Sequence, residues 1–378
     1  MICHLNCELL DLSKLTMKYS SDPPSDDSIS ADRYIRRYHI VATLVCVVGM
    51  GLAVFSMMRV DSSNYNQESQ TNSSVASSGR IPAVDAFDLS DSTLPRDRIV
   101  IGNPFKDSIP SLTEPKYVSA GEAKFLEDQD EIIGYVEEGK SRAYPLRIMA
   151  WHEAVNDQIA GIPYAITYCP LCKSVIAFYR STEFGRIQLG VSGFLYNSNV
   201  LFYDKTDNES PGLFSQLQGE GITRRLKNVA LNTLPVELTT WKDWKTRYPK
   251  TDVLSLETGH DRDYHSSAYE EYYANDKLMF PVSKSDKQFL NKSMVLGITV
   301  NGKTRAYPYQ KFANVWKPTT LQETFEGKKF TLLWNPEAQS LRVEAADEGV
   351  DWAYSFWFAW YAFHPETEIY SADSPATD

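Results

Sequence analysis

The sequence predicts an α+β fold in which tandem-duplicated β-β-α-β-β units form mixed or antiparallel sheets, preceded by one transmembrane helix. Three observations predict it: an uncharged apolar run near the N-terminus, a block of sequence that occurs twice, and strand-like segments around a helix-like one. The chain has 378 residues, of which 43% are hydrophobic and 12% aromatic. That length allows two or three domains with buried cores, and that composition excludes global disorder.

The charge balance excludes one class of partner. Lysine and arginine number 38 against 49 aspartate and glutamate residues, which gives a net charge of −11. Because nonspecific binding of nucleic acid depends on a basic surface that displaces counterions from phosphates, we expect no nucleic-acid partner.

The apolar run occupies residues 40–58 and contains no charged side chain. At about 1.5 Å per residue it reaches roughly 28 Å, close to the hydrocarbon core of a bilayer, which is about 30 Å thick. Soluble helices of this length normally carry a polar face, and cleaved signal peptides have shorter apolar runs nearer the N-terminus. We therefore predict a single transmembrane helix, and the membrane is the one partner that the sequence predicts.

The flanking cations predict the orientation of this helix. Arg33, Arg36 and Arg37 precede the run, whereas Arg59 is the only basic residue after it before Arg80. The positive-inside rule then predicts a cytoplasmic N-terminus and an extracytoplasmic C-terminal region.

A twelve-residue block that begins at Gly134 recurs at Gly297 with seven identities, and the pattern Trp-x-x-Trp, followed by Pro-x-Thr, occurs at Trp241 and again at Trp357. Blocks repeated in the same order predict an internal duplication, and a turn sequence inside the first block predicts that each copy begins with a hairpin. The predicted segments are a mostly disordered cytoplasmic tail (1–39), the transmembrane helix (40–58), a flexible linker (59–80), the first copy (81–256), a connecting loop (257–292) and a second, degenerate copy (293–378).

The helix-like segment of the first copy follows the hairpin. Pro145 is typical of the first turn of a helix, and apolar residues at helical spacing up to Ile159 predict a helix that ends at Gly161. On this helix Glu153 and Asp157 lie four residues apart, away from the apolar stripe, so we interpret them as surface carboxylates.

Cys169 and Cys172 are the only cysteines after residue 60, which excludes a scaffold held by several disulfides. The segment that follows, Ser174–Tyr179, is rich in β-branched and aromatic residues, so the pair should connect two strands rather than open a helix. Strand–Cys-x-x-Cys–strand is the knuckle of zinc ribbons, in which the turn directs both sulfurs at one ion. The sequence thus predicts a site for a soft metal, Zn or Cu(I).

His152 is the third predicted ligand, beside Cys169 and Cys172. It shares the apolar stripe of the helix and should face inward, as a metal ligand, as a base that holds a thiolate, or as a core histidine with a hydrogen-bond partner. A structural zinc site has four ligands and an oxidising compartment favours disulfides, so a redox dithiol and an inert disulfide stay open. The aligned positions of the second copy lack all three groups, which favours an active first copy and a scaffolding second one, with ordinary sequence drift at three positions as the alternative.

Other candidate groups are weaker. His260, Asp263 and His265 lie in a polar segment between the copies, which we interpret as a solvated linker. The sequence contains no Gly-rich phosphate loop, no GxSxG elbow and no HExxH motif, so nucleoside triphosphatases, common serine hydrolases and zincins lack support. The identity of any catalytic residue stays open.

Four motifs of this chain resemble the domain-of-unknown-function family 3179, and the resemblance covers about residues 95–372. The motifs are Ala143-Tyr-Pro-Leu146, Trp151-His-Glu-Ala-Val-Asn-Asp157, Thr167-Tyr-Cys-Pro-Leu-Cys172 and Ser192-Gly-Phe-Leu-Tyr-Asn-Ser-Asn199. The resemblance implies the identity of the outer region and no particular reaction. We therefore expect a membrane-anchored extracytoplasmic protein that binds or senses a soft metal at its cysteine pair, with thiol–disulfide redox chemistry and a non-catalytic structural module as the alternatives.

Overall fold

The computed structural model describes residues 80–371. The predicted cytoplasmic tail and transmembrane helix, and all but the last residue of the predicted linker, lie outside the described residues. Within 80–371, no helix has the length and apolar character needed to cross a bilayer.

The described region is mostly β-sheet, so the predicted α+β class is wrong. Its α-helices have only four or seven residues: α1 (Ala83–Ala86), α2 (Leu146–His152), α3 (Trp241–Arg247), α4 (Glu270–Tyr273) and α5 (Trp357–Phe363). Three 3₁₀ turns occupy Arg96–Arg98, Arg224–Leu226 and Tyr309–Phe312.

The strands fall before and after the tyrosine-rich helix α4. Those before it are β1 (Ile99–Ile101), β2 (Leu112–Thr113), β3 (Tyr117–Ser119), β4 (Glu131–Glu137), β5 (Lys140–Pro145), β6 (Ala154–Ile159), β7 (Ile162–Cys169), β8 (Ser174–Tyr179), β9 (Ser181–Thr182), β10 (Gly185–Arg186), β11 (Leu189–Tyr196), β12 (Asn199–Asp204), β13 (Leu213–Ser215), β14 (Glu220–Gly221), β15 (Thr233–Leu234), β16 (Val236–Thr240) and β17 (Asp252–Leu254). Those after it are β18 (Met294–Val300), β19 (Lys303–Pro308), β20 (Thr319–Phe325), β21 (Lys328–Asn335), β22 (Ser340–Ala346), β23 (Val350–Phe356) and β24 (Glu368–Ile369).

The largest sheet has the order β2-β6-β7-β8-β23-β18-β19-β24, with β15 paired to β8. Two sheets of five strands have the orders β16-β4-β5-β17-β3 and β1-β11-β12-β13-β14. The strands β20-β21-β22 form a separate three-stranded sheet, and β9 and β10 form a short hairpin.

The predicted helix from Pro145 to Gly161 is wrong beyond His152. Glu153 adopts a left-handed conformation, with φ of 57°, which ends α2, and the chain then enters β6, antiparallel to β7. The apolar residues that suggested a longer helix, Trp151, Val155 and Ile159, are four apart, and a spacing of four fits a strand as well as a helix because it is a multiple of two. Gly161, with φ of 84°, lies in the turn between β6 and β7.

The same series of elements occurs twice in the described region. A hairpin (β4-β5, then β18-β19) is followed by a short helical turn and a three-stranded antiparallel meander (β6-β7-β8, then β20-β21-β22). A later strand (β16, then β23) pairs with the first strand of the hairpin, and a seven-residue helix leads to a strand (β17, then β24) parallel to the second. Each series is therefore longer than the predicted β-β-α-β-β unit, and β9–β15 are an insertion in the first series.

The repeated Gly and Trp residues are explained by their packing. A Cβ atom on Gly134 would lie 2.2 Å from the Trp244 ring, and one on Gly297 would lie 2.1 Å from the Trp360 ring. Each indole N–H donates to the threonine seven residues later, at 3.0 and 3.1 Å. The Trp-x-x-Trp and Pro-x-Thr patterns therefore specify one packing unit, in which an indole covers a glycine of the hairpin.

The two series share one hydrophobic core. A single buried cluster contains Ile133 and Tyr164 of the first series together with Leu296 and Leu332 of the second. A neighbouring cluster contains both cysteines with apolar residues of the insertion and of α5. The cysteine pair thus lies in the interior, where the first series, its insertion and the second series meet.

Candidate functional site

Cys169, the last residue of β7, and Cys172 are joined by Pro170 and Leu171 in a tight turn that leads into β8; we call residues 169–172 the CPLC turn. The N–H of Cys172 donates to the carbonyl oxygen of Cys169 at 3.2 Å. Such a turn holds its first and last Cα atoms within about 7 Å of each other, a separation that a disulfide can bridge. The prediction that the pair connects two strands is confirmed, and both thiols are free in the structure.

The two sulfurs are buried against a strained turn of the insertion. Cys169 is 1% exposed and Cys172 is fully buried. The Cys172 sulfur lies 3.1 Å from the carbonyl oxygen of Ser198, to which its S–H donates when it is not directed at the Cys169 sulfur. Asn197 and Ser198 form the two-residue turn that connects β11 to β12. Their φ values are 50° and 60°, and positive φ at both residues is typical of a type I′ hairpin turn. Residues other than glycine pay a steric cost in this conformation, and here the turn directs a carbonyl at the thiols.

A network of buried polar side chains lies next to the Asn197–Ser198 turn and holds the residue that follows it, Asn199, in place. The side-chain amide of Asn199 donates to the hydroxyl of Ser174 at 3.0 Å and to the side-chain oxygen of Gln216 at 2.7 Å. The Gln216 amide in turn donates to the Thr167 hydroxyl at 2.9 Å. All four side chains are fully buried, so the orientation of the Asn199 amide next to Cys172 is fixed.

The surroundings of the two thiols are asymmetric. Burial opposes ionisation of Cys169, but hydrogen bonds from the Cys172 thiol and from backbone N–H groups of Cys172, Val200 and Leu171 outweigh it and lower the pKa of Cys169 below its usual value. Burial raises the pKa of Cys172 well above its usual value, and the neighbouring Cys169 sulfur raises it further. Negative charge on the pair therefore resides on Cys169, which makes Cys169 the better nucleophile.

Glu153 is an acidic group whose charge interacts with both cysteines, and its interpretation as a surface carboxylate is wrong. It is 5% exposed, because the left-handed residue at the end of α2 turns the chain directly into the buried strand β6. Its carbonyl oxygen accepts the N–H of Tyr168, the residue before Cys169, at 2.8 Å. Burial raises the pKa of its carboxyl well above the usual value, and charge on Cys169 raises it further. Within residues 80–371, no hydrogen bond or ion pair compensates the burial of this carboxyl.

Asp157 is also buried, at 4% exposure, so its interpretation as a surface carboxylate is wrong as well. Its carboxylate accepts hydrogen bonds from Tyr117, Arg142, Tyr144 and Tyr164. The second series repeats this arrangement, since Glu323 accepts hydrogen bonds from Arg305 and Tyr307. Because the arginine–tyrosine–acid cluster occurs in both series, it belongs to the common scaffold.

The thiols and Glu153 have no counterparts in the second series. Asn335 ends β21 as Cys169 ends β7, a shift of 166 residues that also relates Asp157 to Glu323, and the same shift places Thr319 at the position of Glu153. The second series folds into the same elements without two sulfurs and a buried acid. The elements that the two series share therefore do not require these groups.

His152 faces inward, but the structure does not bring it to the cysteines. Its Nδ1–H donates to the carbonyl oxygen of Pro110 at 2.7 Å, and its Nε2 accepts from the Tyr264 hydroxyl at 2.7 Å. Burial lowers the pKa of this imidazole to about 4, so the ring is neutral near pH 7. Since both nitrogens are engaged, the role of His152 as a third ligand stays a prediction that this geometry does not favour.

The described residues offer no complete donor set for a metal. Within 80–371, no group of three or more His, Cys, Asp or Glu side chains is arranged to hold a metal ion. The two sulfurs alone do not provide the four ligands of a structural zinc site. His260, Asp263 and His265 are exposed, as the interpretation of their segment as a solvated linker requires.

The connecting segment covers the CPLC turn; we call residues 264–283 the tyrosine segment. The Tyr272 hydroxyl donates to the carbonyl oxygen of Leu171 at 2.9 Å, and the Tyr273 hydroxyl donates to that of Pro170 at 2.7 Å. The hydroxyl of Ser198, on the other side of the sulfurs, donates to the carbonyl oxygen of Phe280 at 2.7 Å. The tyrosine segment is therefore the layer that separates the thiols from solvent.

Sequence reasoning missed most of the groups around the sulfurs. They are Glu153, Ser198, Asn199, Tyr272 and Tyr273. The two tyrosines had a visible signal, because three tyrosines within five residues are unusual in a segment otherwise interpreted as solvated. Ser198 and Asn199 stood in a motif that was noticed, but only the fold shows that their turn faces the CPLC turn.

A family model described as a protein of unknown function (DUF3179) matches residues 106–352, which include the CPLC turn and Glu153. No curated protein and no solved structure matches the chain.

Proposed function

Because the chain belongs to the DUF3179 family, which is described only as of unknown function, we propose its activity from the site itself: thiol–disulfide exchange at Cys169 and Cys172. The observation that carries the proposal is that two free thiols share one closed turn, and that more hydrogen-bond donors face Cys169 than Cys172, which has only the Asn199 amide among the described residues. That is the asymmetry which a nucleophilic and a resolving cysteine require.

The reaction has two steps. The Cys169 thiolate attacks a substrate disulfide R–S–S–R′, forms the mixed disulfide Cys169–S–S–R, and releases R′S⁻, which takes up a proton. Cys172 then loses its proton and attacks the Cys169 sulfur, so that the Cys169–Cys172 disulfide forms and RS⁻ leaves and is protonated. The protein gives up two electrons and two protons, and one substrate disulfide becomes two thiols. The reverse sequence oxidises a substrate dithiol.

Glu153 supports the second step. Cys172 must become a thiolate in a buried site where burial raises the pKa of its thiol, and it has to hand its proton to a nearby base. The carboxylate form of Glu153 can take up that proton, and burial favours the neutral carboxyl that results. We assign Glu153 this role of proton acceptor.

The soft-metal hypothesis is the second candidate. The strand–turn–strand arrangement that holds the sulfurs is the one found in zinc knuckles, and thiolates are ligands that Zn and Cu(I) prefer. It would need ligands besides Cys169 and Cys172 for zinc, and His152 is engaged elsewhere. Exchange chemistry needs only the two sulfurs, so it fits this site better.

The proposal places the exchange site outside the cytoplasm, on a chain anchored by residues 40–58. This part rests on the apolar run and its flanking arginines, which lie outside the described residues. An extracytoplasmic site is consistent with the chemistry, because disulfides form and persist in oxidising compartments.

The test uses the detergent-solubilised full chain with Cys3, Cys7 and Cys46 changed to Ser, so that only the CPLC pair reports. After reduction, the protein is mixed with a model disulfide and analysed by mass spectrometry. We expect this parent protein to form the Cys169–Cys172 disulfide, Cys172→Ser to stop at a stable mixed disulfide on Cys169, and Cys169→Ser to react slowly.

Three outcomes contradict the proposal. A parent protein that stays a dithiol in excess disulfide has no exchange activity at this turn. A mixed disulfide that accumulates in Cys169→Ser rather than in Cys172→Ser reverses the assigned roles. A protein that purifies with one Zn or Cu(I) held by the pair, and loses it in the double serine variant, supports the metal hypothesis instead.

A further inference from the structure

A cleft of about 340 Å³ opens beside the CPLC turn. Its walls are α2 on one side, the tyrosine segment on the other, and Tyr168 and Lys173 next to the cysteines. A second cleft, of about 470 Å³, shares Glu131 and Lys173 with the first and continues to Tyr309 of the second series. The two clefts share Gln129, Glu131 and Lys173, the last of which follows Cys172 in the chain; we call the two clefts together the groove.

Four of the five charged side chains on the walls of the groove are paired with one another, and the fifth, Glu337, pairs with Lys242 outside the groove. Arg147 lies 2.6 Å from Asp130, and Lys173 lies 2.7 Å from Glu131. Most of the remaining polar side chains are uncharged hydrogen-bonding groups, namely Gln129, Ser266, Ser267, Thr239, Thr240 and Gln339. A ligand with a large net charge would have to break these ion pairs, whereas a polypeptide backbone offers N–H and C=O groups without net charge.

Tyr273 connects the groove to the thiols. Its ring lines the first cleft while its hydroxyl donates to the carbonyl oxygen of Pro170 at 2.7 Å. Cys169 is 1% exposed and lines neither cleft, so a substrate sulfur reaches it only after part of the tyrosine segment moves away from the CPLC turn. A chain that lies in the groove has an N–H group to offer to the carbonyl of Pro170 in place of the tyrosine hydroxyl.

We propose that the groove binds an extended, uncharged polypeptide segment that carries the substrate disulfide, and that Tyr273 leaves the CPLC turn when this segment docks. The inference rests on the proposed thiol–disulfide exchange and names its substrate class. A small charged disulfide such as glutathione disulfide, whose carboxylates outnumber its ammonium groups, is the alternative that the paired charges of the groove disfavour.

The experiment blocks the groove and keeps the cysteines. Ala150 lies on α2 and lines the first cleft, so Ala150→Trp fills it. Ala313 occupies the equivalent position of the second series, is exposed, and lines neither cleft, so Ala313→Trp is the matched control. Ser267→Trp, on the opposite wall of the first cleft, provides a second blocking variant if α2 does not tolerate the indole.

The substrates are a neutral peptide that contains a disulfide and glutathione disulfide. We expect the parent protein to react about tenfold faster with the peptide, a difference of about 1.4 kcal/mol. Either blocking variant should react with the peptide about tenfold more slowly than the parent protein and with glutathione disulfide at the parent rate. Ala313→Trp should keep the parent rate with both substrates. The rate at which iodoacetamide alkylates Cys169 should be the same in all variants.

A direct binding measurement separates this inference from the proposed function. A Cys→Ser form of the peptide is titrated against the protein with both CPLC cysteines changed to Ser and followed by fluorescence. Saturable binding that Ala150→Trp or Ser267→Trp weakens supports the groove even if exchange itself fails. The groove is overturned if the peptide does not bind, if Ala313→Trp weakens binding equally, or if glutathione disulfide reacts as fast as the peptide.

Discussion

Gly297→Ala is expected to lower the free energy of unfolding by about 3 kcal/mol or more, at the upper end of what an added methyl group costs in a packed core. The new Cβ atom would lie 2.1 Å from the Trp360 ring, far inside van der Waals contact. The ring has no free direction to move, since Trp360 is 1% exposed and its N–H is held by Thr367. Gly134→Ala should have a similar effect, because its Cβ would meet the Trp244 ring at 2.2 Å. Denaturant unfolding of each variant measures the change.

The matched control is Gly121→Ala. Its nearest neighbour would be the Ser119 hydroxyl at 4.0 Å, and the residue has no left-handed φ, so stability should change little. A double variant that combines Gly297→Ala with Trp360→Leu should be destabilised by less than the sum of the two single changes, because both act on one contact. Wild-type stability in Gly297→Ala, or full additivity in the double variant, would contradict the proposed packing unit.

These glycine–tryptophan contacts show why the repeat was visible in the sequence. A glycine under an indole tolerates no side chain, and the indole needs its threonine partner, so the residues recur at fixed spacing in both series. The family resemblance was visible for a related reason, since its motifs contain buried residues and tight turns of the first series, and the match over residues 106–352 confirms it. Packing contacts and tight turns of this kind restrict particular residues at fixed spacing, and such restrictions can be recognised in the sequence.

The fold class failed because the signal for the long helix was ambiguous. Val155 and Ile159 satisfy helical and strand spacing alike, and the deciding feature is the left-handed conformation of Glu153, which no propensity of glutamate predicts. The same error misplaced Glu153 and Asp157 on a wet helical face. In the structure β6 pairs with β7 and is covered on both sides, so both carboxylates are interior.

The CPLC turn was predicted between two strands, but its surroundings could not be. Ser198 lies 26 residues beyond Cys172, and Tyr272 lies 101 residues beyond Leu171. Contacts over such separations depend on how the insertion and the connecting segment pack, and hydrophobic periodicity carries no information about that. His152 illustrates the same limit, because its inward direction was predicted correctly while its partners, Pro110 and Tyr264, came from distant segments.

Glu153→Gln is expected to slow closure of the Cys169–Cys172 disulfide about a hundredfold near neutral pH, the lower range of what a positioned proton acceptor contributes. The amide keeps the shape of the carboxyl but cannot accept the proton of Cys172. The first attack by Cys169 should change little, so the mixed disulfide should accumulate. Rapid acid quenching and mass spectrometry measure both steps, and Glu138→Gln, an exposed acid of the same series, serves as the control. Equal closure rates in Glu153→Gln and the parent protein would remove Glu153 from the mechanism.

The same variant makes a prediction about stability whose sign follows from the raised pKa of Glu153. The folded protein keeps this proton above pH 4.5, the usual pKa of glutamate, where the unfolded chain releases it. The wild type therefore loses stability as pH rises from about 4.5 through the folded-state pKa, by about 1.4 kcal/mol for each pKa unit of the shift. A glutamine side chain does not titrate. The melting temperature of Glu153→Gln should therefore equal that of the wild type in acid and exceed it increasingly as pH rises over that range.

The titratable groups that face Glu153 are Cys169, Cys172 and Tyr269. Repeating the pH series with both cysteines changed to Ser removes the charge coupling to the sulfurs and leaves the effect of burial. Burial should be the main cause of the raised pKa, because no partner within residues 80–371 compensates the carboxyl. In the protein without the two cysteines, Glu153→Gln should therefore still change the pH dependence of the melting temperature by most of the amount seen with the cysteines present. A carboxyl that costs stability at neutral pH, and that the second series replaces without loss of the same elements, is retained in the first series for its chemistry with the neighbouring thiols.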